Sequence, residues 1–137
     1  MLEAEATAIL NFEPLLVPGL LQTADYTHAV MRAGGVPDVA AQPRVAARLG
    51  RQSILTRDEP PTLHAIVDEG VLRRVLGSPR VMTRQLRHLV EVAERPAVTL
   101  QVVPLASKDP AGPVLVFTRE SWATFVAAIH AGEFDHR

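Results

Sequence analysis

The stretch from Thr62 to Pro104 constrains most strongly what this chain can fold into. Thr62-Leu63-His64-Ala65-Ile66-Val67 is rich in β-formers, with Pro60-Pro61 before it and Asp68 after it, and reads as a strand. Asp68 is suited to cap a short helix whose apolar side is Val71, Leu72, Val75 and Leu76, with Gly77 ending it. Ser78 caps a second helix, and Pro79 fills its first position. Met82, Leu86, Leu89, Val90 and Ala93 recur there at helical spacing, while Arg80, Arg84, Arg87, His88, Glu91 and Glu94 lie mostly elsewhere. Pro96 stops that helix, and Ala97 to Val103 forms a second strand closed by Pro104. This order predicts an α/β domain of mixed α+β type, with a small mixed sheet of about three or four strands and helices packed on it.

A chain of 137 residues supports one domain with a real core. With 47% hydrophobic but only 4% aromatic residues, that core is built from Val, Leu, Ile and Ala. Fourteen basic residues against fifteen acidic ones give a net charge of −1, which supplies no general drive toward nucleic acid or anionic membrane. The absence of cysteine excludes disulfides, thiol catalysis and cysteine-based metal sites. Met1-Leu2-Glu3-Ala4-Glu5 starts acidic, unlike a signal peptide, and no apolar run approaches the ~20 residues of a membrane span. The expected location is the cytoplasm.

Before the central stretch, Leu2 to Leu10 reads as a helix with Leu2, Ala6, Ile9 and Leu10 on one side. In Phe12 to Gln22, Pro14 and Pro18 forbid a helix, and Pro18-Gly19 suits the centre of a type II turn with Gly19 at positive φ. So apolar a segment is expected to lie across the core. Thr23 caps a helix to about Arg32, ended by Gly34-Gly35. Asp38 to Thr56 is helical, with Pro43 marking its first turn, Val45, Leu49 and Ile54 inward, and Arg44, Arg48 and Arg51 on a different, solvated side. After Pro104, Ala106 to Pro113 is turn-like, Val114 to Phe117 is a short strand, and Thr118 caps a last helix. Trp122, Phe125, Val126 and Ile129 follow the i, i+3, i+4, i+7 rule in that helix, and Gly132 closes it.

Reaction chemistry is not visible. The chain carries no P-loop, GxGxxG, HExxH or GxSxG pattern, and its five histidines lie on separate elements. His64 faces away from Leu63, Ala65 and Val67, and no nucleophile is paired with it by sequence. Asp68-Glu69, at a strand end, is the best polar constellation, because open α/β sheets bind ligands beyond the carboxyl ends of their strands. An N-cap Asp followed by a first-turn Glu is also ordinary helix chemistry.

Three places resemble a known group. Phe12-Glu13-Pro14, then Val17-Pro18-Gly19-Leu20-Leu21-Gln22-Thr23 and Tyr26, is similar to the "fEp…iPGLLQT…Y" signature of a C-terminal domain of unknown function in actinobacterial Xre-type helix-turn-helix regulators. Val45 to Gln52 resembles that domain's "v..Rl.RQ" helix. Asp68 to Arg74, with Gln85-Leu86 and Val98 to Pro104, resembles its "dE..Lr…QL…v.vqVlP" core. The likeness covers residues 1–105. Residues 106–137, with Ser107-Lys108-Asp109-Pro110 and Trp122…Phe125…Gly132-Glu133-Phe134-Asp135, resemble the second half of the small partner proteins of the same regulators.

The resemblance implies a non-enzymatic regulatory domain of an antitoxin-like transcriptional regulator, fused to half of its partner. No helix-turn-helix pattern is present, so direct nucleic-acid binding by this chain is not implied. The expected partner is the small partner protein or a second copy, with no cofactor and no metal. The alternative reading is a small-molecule effector-binding domain. Candidate partner- or ligand-binding residues are Arg48, Gln52, Asp68, Glu69 and Arg73, expected to converge by Arg48 meeting Asp68 or Glu69.

Overall fold

The computed structural model describes residues 7–104 and the strand at 115–116. In chain order its elements are β1 (Ala8–Glu13), α1 (Ala24–Ala33), α2 (Asp38–Arg51), β2 (Thr62–Asp68), α3 (Glu69–Arg73), α4 (Pro79–Ala93), β3 (Val98–Val103) and β4 (Leu115–Val116). Single 3₁₀ turns occupy Gly19–Leu21 and Gln52–Thr56. The sheet order is β1-β2-β3-β4. The first three strands are parallel, and β4 is antiparallel to β3, so the α/β fold with a mixed sheet is as expected. Each parallel step needs a crossover, supplied first by α1 and α2 and then by α3 and α4.

Alternation along the strands decides which face is covered. Leu63, Ala65 and Val67 of β2 and Val98, Leu100 and Val102 of β3 are buried on one face. Val71 and Leu72 of α3, Met82, Leu86, Leu89 and Val92 of α4, Tyr26 of α1 and the Ile54–Leu55 turn complete that core. Burying each large side chain stabilises the fold by roughly 1.5–3 kcal/mol. Caps fix the helix starts: Thr23 Oγ1 accepts from the Tyr26 amide at 3.2 Å, Ser78 Oγ from Val81 at 3.2 Å, and Asp68 Oδ1 from Gly70 at 2.8 Å.

Several sequence expectations are corrected. Ala8–Leu10 belong to strand β1, not to a helix over Leu2–Leu10. The local helix preference of this Ala- and Leu-containing stretch yields to tertiary pairing, because β1 lies along the edge of β2 from Ala8↔Thr62 to Glu13↔Val67. Gly19 does not sit at positive φ; among the described residues only Gly35 (φ 82) and Gly77 (φ 76) do. Pro18 instead precedes the 3₁₀ turn Gly19–Leu21, and the Leu21 amide donates to its carbonyl at 2.9 Å. Pro43 lies inside α2 rather than in its first turn. Pro43 and Val39 are both exposed there, so water can serve the carbonyl that proline leaves without a donor. Leu49 is exposed, and the inward positions of α2 are Ala41, Val45 and Arg48. Val75 is exposed because α3 ends at Arg73. The segment 12–22 crosses the core only in part: Val17, Leu20 and Leu21 are buried, whereas Phe12 and Leu15 are exposed. The short C-terminal strand does pair with β3 at Leu115–Val116, and the helix expected after Thr118 lies outside the described residues.

Candidate functional site

Two polar clusters hold the candidate residues. The first surrounds the Pro18-to-Thr23 motif. Gln52 Nε2 donates to the Gly19 and Gln22 carbonyls, both at 2.8 Å. Gln22 is buried; its Nε2 donates to the Val17 carbonyl at 2.8 Å. Its Oε1 accepts from Thr27 Oγ1 at 2.7 Å and from Arg48 Nη1 at 2.9 Å. Gln85 of α4 closes the arrangement from the other side: Oε1 accepts from the Thr23 amide and Nε2 donates to the Leu21 carbonyl, each at 2.8 Å. The Tyr26 hydroxyl accepts from the Val17 amide at 3.2 Å. Burial raises the Tyr26 pKa, against the opposing pull of that bond and of the Arg74 charge, so the phenol stays neutral. A loop with no regular structure through most of its length thereby has its backbone groups satisfied by glutamine and tyrosine side chains.

The second cluster is at the carboxyl end of β2. Asp68 is the N-cap of α3, and Glu69, itself buried, pairs with Arg73 at 2.5 Å one turn along. Nearby Arg74 Nη1 donates to the Leu15 carbonyl at 2.9 Å. The expected Arg48 contact with Asp68 or Glu69 is not formed; among the described residues the polar partner of Arg48 is Gln22. Arg48 and Gln52 thus serve the loop, and Asp68, Glu69 and Arg73 serve the strand–helix turn.

Two open clefts are found elsewhere. One of about 570 Å³ lies at the amino ends of β2 and β3, between Arg57, Asp58 and Pro60 on one side and Arg95 and Pro96 on the other. Another of about 510 Å³ lies between α1 and the start of α4, lined by Asp25, His28, Arg32, Gly77 and Ser78. Neither is lined by Asp68 or Glu69.

The feature that sequence reasoning missed is the second face of the sheet. Leu10 and Phe12 point to the face opposite the core and are 72% and 58% exposed. Register places them beside His64 and Ile66 of β2, which neighbour Thr99 and Gln101 of β3. The His64 and Gln101 side chains are hydrogen-bonded to each other, tying β2 to β3 on this face. Large apolar residues grouped on an exposed face mark interaction surfaces more often than solitary exposed leucines do. The signal was hidden because β1 was read as helix. Gln22 and Gln85 were also passed over, although Gln85 falls within the Met82-Gln85-Leu86-Leu89 apolar spacing of α4.

A family model for a domain of unknown function, DUF5753, matches residues 1–133. The chain belongs to this family. In DUF5753 terms, the glutamine-bound loop, both polar clusters, the open sheet face and the β4 strand all fall within the matched span. No curated protein and no solved structure matches the chain. No helix among the described residues is long and apolar enough to cross a membrane.

Proposed function

We propose that this DUF5753 chain is a non-enzymatic protein-interaction domain of an antitoxin-like transcriptional regulator, acting in the cytoplasm. The observation that carries this reading is the open sheet face with Leu10 and Phe12 exposed beside Ile66. Its chemistry suits the apolar side of an amphipathic helix, a recurrent mode of protein recognition. The partner is the small protein that accompanies such regulators, whose second half residues 106–137 resemble. DNA is not the ligand of this chain: the net charge of −1 provides no electrostatic footprint. The effector-pocket alternative has less support, because Glu69 is buried against Arg73 and neither cleft described above reaches Asp68.

Chemical-shift mapping with the small partner protein tests the reading. Perturbations grouped at Leu10, Phe12, Ile66 and Thr99 are expected. Perturbations confined to the clefts at Arg57 and Arg95 or at His28 and Arg32 would replace it with the effector reading.

A further inference from the structure

The sheet has one face covered by helices and one face open, and the chain continues beyond β4. We propose that residues 118–131 form an amphipathic helix that lies across the open face, with Trp122, Phe125, Val126 and Ile129 turned toward Ile66 and Phe12. The inference rests on reading that face as a docking surface and names its occupant: a segment of the same chain.

Four observations converge on this segment. Leu63, Ala65, Val67, Val98, Leu100 and Val102 are already buried beneath α3, α4 and their neighbours, so that side has no vacancy for another apolar stripe. β4 pairs antiparallel with β3, through Gln101↔Val116 and Val102↔Leu115. The chain therefore leaves Val116 heading toward the end where β2 and β3 begin, and a following helix can return along the open face. Lengths agree: fourteen helical residues span about 21 Å, and a six-residue strand such as β3 spans about 20 Å. Finally, Trp122, Phe125, Val126 and Ile129 fall within an arc of about 100° on a helical projection, the width of one buried stripe.

The occupant matters for the proposed function. A segment that resembles the partner and is tethered to the domain competes with a free partner at high effective concentration. A free partner must then displace residues 118–131 to reach Phe12.

Trp122 is the only tryptophan, so its fluorescence reports the position of the stripe in the full chain without any partner present. Phe12→Lys and Leu10→Lys are suitable probes, because both side chains are exposed and their replacement leaves the core intact. Val39→Lys, on the outer side of α2, is the control. Circular dichroism verifies that each variant is folded. The expected result is apolar, quencher-protected Trp122 emission that is independent of protein concentration. Phe12→Lys and Leu10→Lys should shift it toward that of an indole in water, and Val39→Lys should not. Water-like emission in the unmodified chain overturns the proposal. So does protected emission that Phe12→Lys and Leu10→Lys leave unchanged, which places the stripe elsewhere, and so does protection lost on dilution, which assigns the face to a second copy. Failure of the partner to bind, with Trp122 protected as expected, would remove the functional reading and leave this inference standing.

Discussion

Gln85 Oε1 accepts a hydrogen bond from the Thr23 amide at 2.8 Å, joining the middle of α4 to a residue 62 positions earlier. Its Nε2 serves the Leu21 carbonyl at the same distance, and the side chain is fully buried. One residue therefore fastens the irregular loop to the helix that roofs the sheet.

Gln85→Leu preserves the apolar spacing of α4 but removes partners from two backbone groups. Each orphaned group costs about 1–3 kcal/mol, so a loss of about 2–4 kcal/mol is expected in urea unfolding. A variant as stable as the unmodified chain would show that water replaces the side chain there.

Gln52 offers the corresponding test for the α2 side. Gln52→Leu abandons the Gly19 and Gln22 carbonyls and should lower stability by about 1–3 kcal/mol. Partner affinity, measured where both proteins are fully folded, should not change, because Gln52 serves the loop and not the open face. An affinity loss without a stability loss would return Arg48 and Gln52 to the binding site.

The two glycines reverse the order that their neighbourhoods in sequence suggest. Gly77 has φ +76, and a Cβ there would stand 3.1 Å from Ala29 Cβ and 3.2 Å from Val81 Cγ2. Gly77→Ala combines left-handed strain with crowding and should destabilise by roughly 1–3 kcal/mol. At Gly19 the backbone is ordinary and a Cβ would meet Arg48 Cδ at 3.7 Å, a normal contact. Gly19→Ala should melt close to the unmodified chain. Equal melting shifts for the two variants would contradict this assignment of strain.

His88 gives the fold a pH dependence. Burial lowers its pKa below 6.5; the Glu91 charge opposes that effect and Arg95 adds to it. The unfolded chain binds the proton more readily than the folded one. Stability linked to His88 is therefore present above the ordinary histidine range and is lost as pH falls through the folded value. His88→Gln should make the acid side of the stability profile shallower. An unchanged acid slope would mean that His88 titrates as it does in the unfolded chain.

Much of the core was legible in sequence because local and tertiary signals agree there. Asp68, Ser78-Pro79 and the Met82-to-Leu89 spacing each mark an element that the structure contains. β1 was not legible: Ala8-Ile9-Leu10 carries no strand punctuation, and only the open edge of β2 makes it extended. The open face was lost with it, since Leu10 and Phe12 acquire a common face only once β1 is a strand. Gly19 misled because Pro-Gly fits a type II turn locally, whereas the Gln52 and Gln85 bonds hold the loop in a 3₁₀ turn. The candidate residues were individually well placed as polar anchors, but their spatial grouping depends on Gln22, which no periodicity singles out.

The central claim is that the open sheet face receives a partner helix. Isothermal titration of the small partner protein into the full chain, with and without the double substitution Leu10→Asp and Phe12→Asp, tests it most directly. Removing two apolar anchors is predicted to weaken binding by about 2 kcal/mol or more, about thirtyfold in Kd, with the fold intact by circular dichroism. Unchanged affinity in the folded double variant would contradict the account.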